Sequence, residues 1–161
     1  MSAATKTHPV PQTRADLSPG LWSHKVIFRH GHCDPAGIVY TPVFFDVFNQ
    51  AIEAWFCECL NIRYYDLLGP RRTGLGYADV SATFFTPCRM GDEIEIFVSV
   101  VRIGGKSYQL RLFAMLADNE ALRGNFTTVT TSLDTHRPID IPQDIRAAIT
   151  AYAATGTTAD T

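Results

Sequence analysis

The patterning of apolar residues predicts an α+β domain in which an antiparallel sheet curls around one long central helix. Three observations carry this expectation. Phe44, Val47, Phe48, Ala51, Ile52, Trp55 and Cys59 recur at three- and four-residue spacing, the period of a helix. Val43, Phe45, Ala54, Phe56 and Leu60 add apolar positions on its other faces, so the helix should be enclosed by other structure. Beyond residue 75 the period falls to two, and short turns separate the alternating runs.

A first short strand is expected in residues 22–30, around Val26, Ile27 and Phe28. It ends at Gly31, before the loop chemistry of Asp34-Pro35-Ala36-Gly37. Pro35 biases Asp34 away from helical backbone, and Gly37 tolerates geometry that other residues resist. Thr41 is the expected N-cap, followed by Pro42 at a favoured first-turn position. After the helix, residues 61–68 form a short helical or irregular link, and residues 71–74 a loop. Strands follow at residues 77–86, at Ile94 to Val100, at Tyr108 to Leu116 and at residues 122–133, five strands in all. Their turns fall at Met90-Gly91-Asp92, Gly104-Gly105 and Asp118-Asn119. A closing helix is expected over residues 142–152.

The chain has 161 residues, enough for one domain with a sizeable core and too few for two ordinary ones. Residues 1–20 read as a disordered arm, 21–152 as a single domain and 153–161 as a flexible tail. The formal net charge of -2 offers no nucleic-acid footprint, although a few local cations could hold a polyanionic small molecule. No apolar run is long enough to span a bilayer, and the N-terminus lacks a secretory h-region, so a cytoplasmic address is expected by default. Cys33, Cys57, Cys59 and Cys88 show no C-x-x-C spacing and read as free thiols rather than zinc ligands.

The chemistry concentrates before the helix. Its first amides, around Tyr40 to Phe44, have no intrahelical acceptor and lie at the positive end of the helix dipole. They can receive a carbonyl oxygen that gains negative charge. The Asp34 carboxylate, close by, could attack the carbonyl carbon or take a proton from water, and the sequence leaves both routes open. The competing role for Asp34 is an Asx-turn residue that shapes the loop. His30 and His32 read as structural strand-end histidines. Tyr40, Phe44, Phe45 and Phe48 read as core, with the first of them available to line an acyl pocket.

The segment Asp34-Pro35-Ala36-Gly37-Ile38-Val39-Tyr40-Thr41-Pro42, followed by Phe44, Phe45 and Phe48, resembles the hotdog-fold thioesterases of the 4-hydroxybenzoyl-CoA thioesterase family. The likeness runs from about His24 to Tyr152. It implies a five-stranded hotdog fold and hydrolysis of an acyl-CoA, with no cofactor beyond the CoA of the substrate. Asp34 falls on the catalytic aspartate, and Thr41 on the residue whose backbone N–H polarises the thioester carbonyl. Lys106 and Arg137 fall on cations that contact CoA phosphates, with Ser107 a further contact; Arg71, Arg72, Arg89 and Arg102 receive no role. Thr41 stands where related enzymes often carry a histidine, which favours an aromatic acyl group over a short aliphatic one. An aliphatic or carrier-protein-bound acyl group is the enzymatic alternative, and a non-catalytic acyl-CoA-binding module the other. The family also implies a homodimer or homotetramer with active sites between subunits.

Overall fold

A computed structural model describes residues 8–156. Five strands, β1 (Ser23–Ile27), β2 (Thr73–Phe84), β3 (Glu93–Ile103), β4 (Ser107–Leu116) and β5 (Asn119–Ser132), form one sheet in the order β1-β3-β4-β5-β2, every neighbouring pair antiparallel. Helix α1 (Thr41–Ala54) runs on into a π-helical turn, Trp55–Cys59, and lies in the concavity of the sheet. A short α2 (Tyr64–Leu68) leads to β2, and α3 (Gln143–Thr155) packs on β3. This is the hotdog fold.

The helix sits inside because its sequence leaves it little choice. Phe44, Val47, Phe48, Ala51, Ile52, Trp55 and Phe56 are all buried, and each large side chain of this kind contributes about 2 kcal/mol when removed from water. The sheet answers with the inward residues of β3 and β4: Ile94, Ile96, Val98, Leu110, Leu112 and Ala114. Gly124 of β5 lies against the ring of Phe48 on the helix. A Cβ there would stand 2.9 Å from the Phe48 ring and 2.8 Å from that of Phe126, so only glycine lets the helix settle this near the strand.

Several boundaries differ from expectation. Tyr40, with extended backbone, is the N-cap; Thr41 is the first helical residue and Pro42 the second. β2 begins at Thr73, inside the segment that read as a loop, because Thr73 is buried and pairs with Ser132 while Arg72 takes the left-handed turn (φ 49) before it. The last hairpin turns on Ala117 (φ 53) and Asp118, so β5 starts at Asn119.

The first twenty residues also differ where they are described. From His8 onward they form a strap against the sheet rather than a free arm. Gln12 O accepts the Glu120 N–H at 2.9 Å, and the Glu120 carboxylate accepts the Gln12 N–H at 2.8 Å. Thr13 bridges Asn119, and Leu17 and Leu21 are buried. Arg14 donates to Glu95 at 2.6 Å, with its guanidinium over the Phe97 ring. At the other end α3 continues to Thr155, absorbing part of the expected tail; residues 1–7 and 157–161 lie outside the described residues.

Burial alone would raise the pKa of Glu95, but hydrogen bonds from Ser23 and Arg14 outweigh it and hold the carboxyl below the usual glutamate value. Its stabilising contribution is therefore complete above the unfolded value of about 4.3 and is lost as pH falls through the lower folded value. Amides near Leu17 should accordingly exchange faster with solvent below about pH 4, measured by hydrogen exchange, and Glu95→Gln should remove that acid dependence.

Candidate active site

The segment before α1 folds as a miniature hairpin. Cys33 and Val39 form an antiparallel bridge, and Asp34 N–H donates to Ile38 O at 3.0 Å. Gly37 N–H closes on Asp34 O at 2.9 Å, with Gly37 at φ 79, a conformation that favours glycine. The Asp34 carboxylate accepts the Ala36 N–H through Oδ1 at 2.8 Å. The Asx-turn role is thus real, but it occupies one oxygen; Oδ2 has no hydrogen-bond partner among the described residues. The loop is pinned at its base by Tyr40 N–H to His32 O at 2.9 Å and by Val39 N–H to Cys88 O at 2.8 Å.

His32 is structural. Its Nδ1 accepts the Arg29 N–H at 2.9 Å, which places the proton of a neutral ring on Nε2, and its ring meets Phe28 edge to face. His30 is exposed and contributes its carbonyl to Cys33 N–H. At the helix start, Val43 N–H is taken by Tyr40 O and Pro42 has no N–H to give. Thr41 N–H has no acceptor among the described residues, and it lies at the positive end of α1.

A cleft of about 290 Å³ opens at this point, lined by Ile38, Val39, Thr41 and Phe44 on one side and by Phe84, Phe85, Thr86, Pro87 and Cys88 on the other. The second wall is absent from the sequence reading. Pro87 marks the end of a strand, but nothing local announces that Cys88 returns to bond Val39. The edge-to-face contact of Phe44 with Phe84, centroids 5.5 Å apart, closes the floor.

The expected phosphate contacts lie elsewhere. Lys106 is exposed in the β3–β4 turn, and its carbonyl accepts from both the amide and the hydroxyl of Thr130. Arg137 follows β5, bound through its carbonyl to Ser132 N–H, and Pro138 bridges Thr131. Ser107 opens β4 opposite Val129. Lys106, Ser107 and Arg137 are thus gathered at one end of the sheet, and neither cation pairs with a carboxylate among the described residues. Asp34 and Thr41 are at the opposite end, beside the β2 terminus at Phe84 and the β3 start at Glu93. The eleven residues of β3 separate the two groups.

Two of the unassigned arginines have structural partners. Arg71 grips Asp144 of α3 with two bonds of 2.7 Å, and Arg72 donates to Asp134 at 2.9 Å. Arg89 and Arg102 are exposed. No helix among the described residues is long and apolar enough to cross a membrane.

A family model described as the Thioesterase-like superfamily matches residues 28–149, which includes the hairpin, α1 and all of β2 to β5. The chain belongs to that superfamily. Solved structures agree with the hotdog fold of this thioesterase. A thioesterase superfamily protein from Jannaschia sp. CCS1 shares 26% identity at a TM-score of 0.78, covering 84% of this chain and 94% of its own. A 1,4-dihydroxy-2-naphthoyl-CoA thioesterase from Synechocystis shares 18% at 0.75, over 81% and 96% of the two chains. A gentisyl-coenzyme A thioesterase shares 20% at 0.74, over 80% and 99%.

Proposed function

We propose that this thioesterase hydrolyses acyl-CoA, preferring an aromatic acyl group, with Asp34 as nucleophile or general base. The observation that carries the proposal is the hairpin: it holds a carboxylate with one unengaged oxygen in the same short loop as Ile38 and Val39, which line one apolar cleft together with Thr41, whose N–H is unengaged. The thioester carbonyl oxygen accepts from Thr41 N–H, which stabilises the charge that develops there. Asp34 then either attacks the carbonyl carbon, expelling the CoA thiolate and leaving a mixed anhydride for water to open, or takes a proton from the water that attacks directly. Either route consumes one water and yields the acid and free CoA. Phe44, Phe84 and Phe85 give the cleft an aromatic lining, and the names of the naphthoyl- and gentisyl-CoA thioesterases point the same way.

The separation of Asp34 from Lys106 and Arg137 favours a site shared by two copies. β2 is hydrogen-bonded on one side only among the described residues, and its free edge invites pairing. Pairing β2 antiparallel with its own copy lays the Thr73 end of one strand beside the Phe84 end of the other. The phosphate-binding end of each protomer then adjoins the carboxylate end of its partner.

Free-thiol release from benzoyl-, hydroxybenzoyl- and straight-chain acyl-CoAs tests the activity: hydrolysis is expected, with the larger kcat/KM on the aromatic esters. No thiol release from any of them would refute the activity. In the same assay Lys106→Ala and Arg137→Ala should each raise KM about tenfold and change kcat little, the signature of lost uniform binding. An unchanged KM in both would remove these two residues from CoA binding.

A further inference from the structure

The turn between β3 and β4 consists of Gly104, Gly105 and Lys106 and closes through Gly104 N–H to Ser107 O at 2.7 Å. Glycine loses more backbone freedom on ordering than any other residue, and two stand here in succession. Left to itself such a turn would sample many conformations, and the exposed Lys106 at its tip would move with it.

The surroundings prevent this. All three carbonyls of the turn accept from outside it. Lys106 O takes Thr130 N–H at 2.9 Å, and Gly105 O takes Ile141 N–H at 3.0 Å. Arg146 Nη2 then donates to Gly104 O at 2.7 Å and to Gly105 O at 2.9 Å, so one nitrogen spans two consecutive carbonyls. Its helix is itself fixed: Ile145 and Ile149 of α3 are fully buried, and Arg71 grips Asp144 next to them. A half-buried guanidinium is ordinarily matched to a carboxylate, yet Arg146 has none among the described residues. Its polar contacts are spent on the glycine turn instead.

We infer that Arg146 is a positioning residue for coenzyme A: by clamping the Gly104-Gly105 turn from α3 it holds Lys106 where the ammonium meets a substrate phosphate. This rests on the assignment of Lys106 to CoA made above and adds the element that orders it. In this role Arg146 touches neither the substrate nor the reacting atoms. Its loss is therefore felt through Lys106, in binding, and only by substrates that carry the phosphates.

The test compares kcat/KM for two thioesters of one acyl group, the one released fastest in the assay above: the CoA ester and the N-acetylcysteamine ester, which lacks every phosphate. Arg146→Gln should lower the ratio of CoA ester to N-acetylcysteamine ester about tenfold through KM, as Lys106→Ala does. Arg146→Lys, which keeps a charged donor for the two carbonyls, should recover most of that loss. In the Lys106→Ala background Arg146→Gln should cost less than about twofold more, because two residues acting through one contact are not additive. An equal fall on both esters would overturn the inference, since a merely structural arginine would weaken the whole site. So would a full further loss in the Lys106→Ala background, or an unchanged ratio in Arg146→Gln where Lys106→Ala lowers it. A ratio unmoved by Lys106→Ala removes the CoA assignment and the inference with it, while hydrolysis of neither ester ends the thioesterase reading itself.

Discussion

Asp34→Asn should lower kcat for acyl-CoA hydrolysis by about 10²–10⁴, the range for removing a positioned general base or its equivalent. Asparagine preserves the Oδ1 acceptor that Ala36 N–H uses, so the Asx turn and the hairpin above it survive. The thermal midpoint should therefore move by no more than about 2 °C, the shift expected from a few tenths of a kcal/mol in a domain of this size. The pairing of these readouts gives the test its force. A fall in rate with a matching fall in stability would return Asp34 to a purely architectural role, and a variant retaining more than a tenth of wild-type turnover would refute the mechanism.

The second large effect is on stability and arises at the far side of the cleft wall. Glu120 has a fully buried side chain, and both its oxygens are held by Arg123, one of them at 2.7 Å from Nε. Arg123 lies over the rings of Phe85 and Phe113, at 5.5 and 5.3 Å, and also donates to Val10 O at 3.0 Å. Arg123→Met keeps much of the apolar contact but abandons a buried carboxylate. The expected loss is about 3–5 kcal/mol, or roughly 10 °C in thermal midpoint. Adding Glu120→Gln to Arg123→Met should recover part of the loss, because the stranded charge, more than the missing guanidinium, carries most of it. A midpoint lowered by less than about 2 °C in Arg123→Met would show that the pair is not isolated from solvent.

The parts of this molecule legible in its sequence are those with a local period. β3 and β4 alternate cleanly because one face of each meets α1, and α1 itself is apolar on every side that the sheet covers. Asp34-Pro35-Ala36-Gly37 announces a turn through backbone preferences alone. What escaped depends on partners distant in the chain. Arg14 finds Glu95 and Arg71 finds Asp144, more than seventy residues away in each case, so nothing in the flanking residues distinguishes a strap from a loose arm or an anchoring arginine from a solvated one. Thr73 became the first residue of β2 through its pairing with Ser132, against a neighbourhood of Arg, Arg and Gly that reads as loop. The π-helical turn at Trp55–Cys59 is likewise silent, since its apolar residues fit the α-helical period well enough. For the candidate site, the Asp34 loop and the open helix start at Thr41 were readable because they lie in one contiguous segment. The residues expected to bind phosphate were readable only as types, because their remoteness from Asp34 follows from the length and direction of the strands between.

The two margins of the sheet are unequal. β1 offers five residues, with Lys25 exposed among them, whereas β2 offers twelve. Association through the longer margin with an identical copy consumes that margin in both molecules at once and leaves only the two short, charged ones outside. Such a contact is self-terminating, whereas joining a long margin to a short one would propagate without end. In the pairing proposed above, the asymmetry would direct the backbone groups left open in each protomer toward a closed assembly and away from fibrous aggregation.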